Sequence, residues 1–228
     1  MLCPVGDVPL VDSNLARVAA VVGQGPAHVA VNVHHDAEAI AGHVAGRAHV
    51  SDEAAGSPEA LGTAGGVAHL RPWLDGRAAL VVNGDTWTDI DLGPLVAGWD
   101  GSTVRVLVMG PPELRPGARV LGSLLPPDAI AALPHRPAGL YEACWRLRQA
   151  DGRLEVVGAQ GAFVACDRPR DYLAANLAAS GGESVVGAGA RVDGRLVRSV
   201  VWPGAVVAAG EVLVDAIRID DRVTVLVR

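Results

Sequence analysis

The side chains best placed for chemistry are carboxylates beside turns of small residues. In Val81-Val82-Asn83-Gly84-Asp85-Thr86-Trp87-Thr88-Asp89 a β-branched run enters an Asn-Gly-Asp turn. The pattern predicts Asp85 just past the carboxyl end of a parallel strand, where open α/β sheets collect their ligands. A carboxylate there can hold magnesium through a hard oxygen donor and leave other coordination positions to phosphate oxygens. The same residue could instead cap a turn. A second signal is Leu61-Gly62-Thr63-Ala64-Gly65-Gly66-Val67, preceded by Glu53 and followed by a helical pattern. Small residues let backbone groups approach a planar base or a phosphate, and a helix N-terminus adds positive potential.

Several other chemistries are excluded. All 19 basic residues are Arg and none is Lys, so no Schiff-base or phosphate-loop lysine exists in this sequence. The seven histidines include no His-Glu-x-x-His, and His34-His35 follow a strand, where adjacent side chains point to opposite faces. Their spacing therefore predicts no histidine metal centre. No Gly-x-Ser-x-Gly elbow is present, and Cys3, Cys144 and Cys166 have no evident base partner. Three widely spaced cysteines fit neither a disulfide framework nor a Cys-x-x-Cys site, which points to a reducing cytoplasm. A formal charge of -6 argues against nucleic acid. No apolar run approaches the ~20 residues of a membrane span. Trp73, Trp87, Trp99, Trp145 and Trp202 are scattered singly and read as packing.

These residues need a scaffold, and 228 residues provide one ordinary domain with an appendage. Helices are predicted over Ser13–Val22, with Asp12 or Ser13 as N-cap, over Ala37–Val44 with Asp36 as cap, over Pro127–Leu133, over Gly139–Ala150, and from Pro169 to Ala179. Strands are predicted over His28–His34, Arg77–Asp85 and Thr103–Met109, and a hairpin over Leu154–Cys166 turning near Gly158–Gly161. The alternation predicts an α/β fold, a mostly parallel sheet with a mixed edge, over residues 1–180. After Ser180-Gly181-Gly182 the period changes. Val186 and Val192 are six apart, as are Val200, Val206 and Val212, with small residues between. Inward β-branched residues at this period predict a short hexapeptide β-helix over 183–228. Val-rich hairpin strands are the alternative.

Taken in order, these segments resemble the sugar-1-phosphate nucleotidyltransferases. The residues carrying the likeness are Leu2–Asp12 (LCPVGDVPLVD), Val31–His35, Leu61–Val67, Val81–Asp89, Phe163–Asn176 (FVACDRPRDYLAAN) and the hexapeptide tail. The resemblance implies a Rossmann-like nucleotidyltransferase (GT-A-like) domain with a left-handed β-helix, acting on a nucleoside triphosphate and a sugar-1-phosphate. It implies Asp85 as a catalytic magnesium ligand, Thr63, Ala64, Gly65 and Gly66 as the nucleotide-binding loop, and Gly122 near the sugar pocket.

Three departures qualify that implication. The family's first strand and Gly-x-Gly-Thr-Arg phosphate loop have no counterpart before Leu2, so either the natural protein starts upstream of Met1 or the sheet has closed around a new centre; the former is the expectation. In Phe163–Tyr172, Ala165 stands where the family has its second metal-binding Asp. Asp167 is the remaining candidate ligand, about 6–7 Å further along an extended strand. No Glu-Lys-Pro segment occurs between Met109 and Leu125. The expectation is an enzyme of weak or no activity, or a non-catalytic nucleotide-binding subunit of an active paralogue, with homo-oligomerisation through the β-helix possible in either case. The expected location is cytoplasmic.

Overall fold

The structure, a computed structural model, describes residues 1–54 and 58–227. Along the chain, β1 (Pro4–Val5), β2 (Val8–Pro9) and α1 (Leu10–Val22) are followed by β3 (Ala30–Val33), α2 (Ala37–Val44), β4 (His49–Asp52), α3 (Gly62–His69) and α4 (Arg71–Leu74). Then come β5 (Ala79–Val81), β6 (Thr86–Thr88), α5 (Gly93–Val96), β7 (Val104–Met109), β8 (Val120–Leu125) and α6 (Pro127–Ala131). A π-helical turn over Tyr141–Trp145 leads into α7 (Arg146–Ala150), β9 (Leu154–Ala159), β10 (Phe163–Ala165) and α8 (Pro169–Ala179). The tail carries β11 (Val185–Val186), β12 (Arg191–Val192), β13 (Arg195–Val197), β14 (Val200–Val201), β15 (Val206–Val207), β16 (Val212–Val214), β17 (Ala216–Arg218) and β18 (Thr224–Leu226).

The chain forms two compact units. The first combines Met1–Asn14, Gly84–Asp89 and Gly161–Arg228; the second combines Leu15–Asn83 and Ile90–Gln160. In the second unit a four-stranded sheet has the order β5-β8-β7-β9, and β3 and β4 form a separate parallel pair. β8 is antiparallel to both β5 and β7, and only β9 runs parallel to β7. The expected mostly parallel sheet is therefore corrected to a mixed one. After β7 the chain turns back through a loop rather than crossing over by a helix, and a loop return makes neighbouring strands antiparallel. β7 reads VRVLVM and is buried from Val104 to Val108, as a strand covered on both faces requires. Its one charged residue, Arg105, is 7% exposed. It donates to the Leu95 and Ala97 carbonyls and to Glu155, so the buried charge is paired.

The expected hairpin over Leu154–Cys166 is also corrected. β9 pairs with β7 in the second unit, while β10 pairs antiparallel with β6 in the first. The Gly158–Gly161 stretch is a crossing point, not a turn. Its glycine has a packing reason, because a Cβ on Gly158 would collide with the Gly110 carbonyl oxygen.

In the first unit, β11, β14 and β17 form one parallel ladder, extended by antiparallel β18, while β12 with β15 and β13 with β16 form two more parallel pairs. Val185 pairs with Val200 and Val200 with Ile217, steps of 15 and 17 residues. Arg191 pairs with Val206 and Arg195 with Val212, again 15 and 17. The parallel ladders replace the hairpin alternative; only β18 folds back. The six-residue period holds, and Val192 packs on the interior as expected, but the phase of the set Val200, Val206 and Val212 is corrected by one. Val201, Val207 and Leu213 face a common interior with Ala205 and Ala216, whereas Val186 and Val212 are 47% and 58% exposed. Val200 faces the other way, packing with Tyr172 and Leu173 of α8.

Helix boundaries follow local chemistry. α1 starts at Leu10, earlier than Ser13, because the Leu10 and Val11 amides donate to the Cys3 and Met1 carbonyls and both side chains are buried. Pro169 sits in the first turn of α8 as predicted. Asp36 precedes α2 in a left-handed conformation and makes no side-chain cap, a correction to its expected role.

Candidate functional site

Asp85 lies in the first unit, at the turn entering β6. β6 and β10 pair with Thr86 opposite Ala165, and the Cys166 amide donates to the Asp85 carbonyl at 2.9 Å. The ladder thus brings the chain just before β6 beside the chain just after β10, and Asp85 beside Cys166-Asp167. Both carboxylates are exposed. Cys166 reports their charge: burial pushes its thiol up to about 11, the Trp87 backbone opposes this, and Asp85, Asp171 and Asp167 add to the rise.

The turn before Asp85 is held by a residue that the sequence patterns did not single out. Asn14, 5% exposed on α1, donates from Nδ2 to the Leu10 carbonyl at 3.0 Å and to the Thr86 carbonyl at 2.9 Å. A Cβ on Gly84 would collide with Met1 Sδ, the far end of a flexible side chain that can move aside. On the far side of β6, Asp89 accepts the Ala162 amide and Thr88 Oγ1 donates to the Ala162 carbonyl. The Asn-Gly-Asp signal marked the turn; nothing at short range marked Asn14, whose partners on that turn lie about 70 residues away in sequence.

The small-residue turn lies in the second unit at the start of α3. Thr63 is exposed, while Ala64, Gly65 and Gly66 are buried. What fills the space against them is the chain's own segment 134–140. The Ala64 amide donates to the Ala138 carbonyl, the Ala138 amide to the Leu61 carbonyl, and the Leu140 amide to Thr63 Oγ1, all at 2.9–3.0 Å. A Cβ on Gly65 would come within 2.6 Å of the Arg136 carbonyl oxygen, and one on Gly62, at φ +67°, within 2.7 Å of that of Ala138. Further along, Arg71 donates to the Ile130 and Leu133 carbonyls. Segment 130–140 is therefore a strap clasping α3 from its first turn past its last.

Glu53, 2% exposed, sits on the other side of the turn. Its carboxylate accepts Asn32 Nδ2 and the Leu61 amide, each at 2.9 Å. A Cβ on Gly66 would lie 2.6 Å from Glu53 Oε1. The glycines that sequence reading assigned to ligand approach thus also admit the strap and a buried carboxylate.

Gly122, in the same unit, is buried in β8, with the place of its Cβ within 3.2–3.3 Å of Leu95, Val82 and the Val81 carbonyl. The five tryptophans pack as expected; Trp73 stacks on His49, and Trp87 and Trp202 join the cluster around Tyr172.

Among the described residues no group of three or more His, Cys, Asp or Glu side chains converges as a metal shell. Magnesium is commonly held by one or two carboxylates, with substrate phosphates and water completing its six oxygens. Asp85 and Asp167 each supply an exposed carboxylate of that chemistry from adjoining stretches of chain; the side chain of Ala165 offers no oxygen.

No protein-family model matches the chain. Its fold is similar to those of several solved structures. One is described as a mannose-1-phosphate geranyltransferase from Thermus thermophilus, with a TM-score of 0.65 at 18% identity, covering 95% of this chain and 84% of that one. A second is a Bacillus anthracis protein described as a putative glucose-1-phosphate thymidylyltransferase, solved with sucrose, with a TM-score of 0.64 at 12% identity over 80% of this chain and 86% of that one. HddC from Yersinia pseudotuberculosis, complexed with GMP-PN, has a TM-score of 0.57 at 15% identity over 77% of this chain and 87% of that one. The mixed α/β fold is shared with these solved structures. No helix among the described residues is long and apolar enough to cross a membrane.

Proposed function

We propose that this chain binds a magnesium–nucleoside triphosphate and a sugar-1-phosphate, and forms nucleotide-sugar with turnover far below that of a complete relative. The observation that carries the reading is the Cys166 amide donating to the Asp85 carbonyl, which sets the chain at Asp85 beside the chain at Cys166-Asp167 just beyond the β6–β10 ladder, in a chain whose fold is similar to those of solved nucleotide-sugar enzymes. In the reaction a sugar-1-phosphate oxygen attacks the α-phosphorus, the bond from that phosphorus to the bridging oxygen breaks, and pyrophosphate leaves. When bound, magnesium supplies charge neutralisation on the phosphate oxygens; Asp85 and Asp167 would hold it. Of the expected base loop, Thr63 is the exposed member open to a ligand, since segment 134–140 and Glu53 occupy the space against Ala64, Gly65 and Gly66; Gly122 keeps its expected place near the sugar pocket as a proposal.

The same reading takes residues 183–228 as a left-handed β-helix, because parallel partners recur 15 or 17 residues apart around three ladders. It takes residues 1–180 as the catalytic-type domain, the protein as cytoplasmic, and its partners as a second copy or an active paralogue. A non-catalytic binding subunit is the second reading, favoured by the methyl of Ala165 where a second carboxylate would face Thr86.

Calorimetry with GTP, dTTP, UTP and their hexose conjugates, with and without magnesium, tests binding; pyrophosphate release tests turnover. Magnesium-dependent binding lost in Asp85→Ala is expected. Binding without detectable pyrophosphate selects the second reading, and no nucleotide binding at all removes both.

A further inference from the structure

We propose that His69 and His135 form a bidentate site for a divalent first-row transition ion such as zinc, nickel or copper. His69 Nδ1 and His135 Nε2 lie 3.1 Å apart, with ring centroids at 5.3 Å and planes inclined by 30°. The two come from different elements, the last residue of α3 and the strap after α6. Imidazole nitrogens bind such ions at about 2.0–2.1 Å. Two donors 3.1 Å apart at that bond length subtend roughly 95–102° at the ion, between octahedral and tetrahedral angles. The separation therefore suits one ion as well as it suits one shared proton.

The exchange balances. In the free protein one ring nitrogen carries the proton of the N–H···N bond. On metal binding that proton moves to the outer nitrogen of the same imidazole, and both inner lone pairs turn to the ion. Neutral imidazole is the donor these ions prefer among protein oxygens and nitrogens. His135 is exposed and His69 half-buried, so neither has to be drawn out of the core. His69 also borders an open cavity of about 430 Å³ shared with His49, Ser51 and Asp52, which leaves room for the waters that complete the shell.

The site has a structural consequence because of where it sits. The strap already holds α3 at Leu61, Thr63, Ala64 and Arg71. An ion bridging His69 and His135 closes the clasp at the carboxyl end of the same helix. An ion that binds only the clasped state stabilises it in proportion to its saturation.

The test uses the full chain and zinc chloride alone, followed by calorimetry and thermal denaturation. Wild type is expected to take up one ion with Tm raised by about 5–10 °C at zinc a hundred times Kd. His69→Gln and His135→Gln should each weaken binding by about tenfold or more and lose the shift, while His43→Gln on α2 keeps both. Circular dichroism confirms that each variant is folded, and His135, exposed on the strap, is the substitution least able to disturb the core. Zinc binding or a Tm rise that persists unchanged in His135→Gln overturns the proposal, as does wild type with no saturable uptake.

Discussion

The carbonyl oxygen of Asp85 accepts the amide of Cys166 at 2.9 Å, and this bond ties the turn before β6 to the chain leaving β10. The bond sets Asp85 beside Cys166, next in the chain to Asp167, although 82 positions separate the two exposed carboxylates in sequence. Removing either carboxyl should leave Tm within about 1 °C of wild type, because substitutions at exposed positions cost little. Asp85→Ala should weaken magnesium–nucleotide affinity by about tenfold or more, with Asp167→Ala a smaller loss of the same sign. Calorimetry at fixed nucleotide and varied magnesium reads both.

Ala165 offers the reverse experiment. It is half-buried opposite Thr86, and Ala165→Asp adds a carboxylate beside Asp85. Pyrophosphate release should rise by roughly tenfold or more if a second metal-binding oxygen limits turnover. An unchanged rate, with the variant folded, would place the limitation elsewhere.

Asn14 predicts a stability effect without a chemical one. Asn14→Ala removes a buried donor from the Leu10 and Thr86 carbonyls and should cost about 1–3 kcal/mol. For a chain of this size that corresponds to a fall in Tm of roughly 2–12 °C. Asn14→Asp should be at least as damaging, because a carboxylate would face two carbonyl oxygens.

Glu53 and Asn32 can be exchanged as a pair. Asn32→Asp alone sets two carboxylates against each other, and Glu53→Ala leaves the Leu61 amide without its acceptor. Each should destabilise by about 1–3 kcal/mol. In the double variant Asn32→Asp with Glu53→Gln, the new amide can donate to the new carboxylate while its oxygen accepts the Leu61 amide, which should recover most of the loss in a denaturation cycle.

Cys166 predicts an alkaline effect. Burial raises its thiol from the ordinary 9.0 to about 11 in the fold, so the protonated form is favoured by folding. That contribution is fully present below about pH 9 and is lost as pH rises through about 11. Stability should therefore decline over this window, and Cys166→Ser should flatten the decline. At about pH 8 the thiol should react with iodoacetamide more slowly than a free cysteine, as followed by mass spectrometry.

Local chemistry was legible in the sequence where local forces decide. α2 occupies the predicted Ala37–Val44, and Pro169 opens α8 as a first-turn proline should. The six-residue period of the tail was legible too. Its phase was not, because doubled valines such as Val200-Val201 and Val206-Val207 offer two inward candidates, and only the packing of Val200 on α8 separates them. The mixed sheet was hidden for a related reason: β7 and β8 are apolar on both faces, so their pattern carries no strand direction. Of the candidate site, the Asn-Gly-Asp turn and the small-residue turn were readable as motifs. Asn14, Glu53 and the strap were not, since each acts across a long stretch of chain and carries no spacing rule.

The first unit is drawn from Met1–Asn14, Gly84–Asp89 and Gly161–Arg228, which sets a schedule for biosynthesis. During synthesis Val5 and Leu10 emerge more than 160 residues before the partners that shelter them, namely Tyr172, Leu173 and Ile217. Only the other unit, complete by Gln160, can mature earlier. Contacts between segments so far apart in sequence form slowly, so premature termination after residue 160 would leave the apolar stretch around Val5 and Leu10 unsheltered and prone to aggregate.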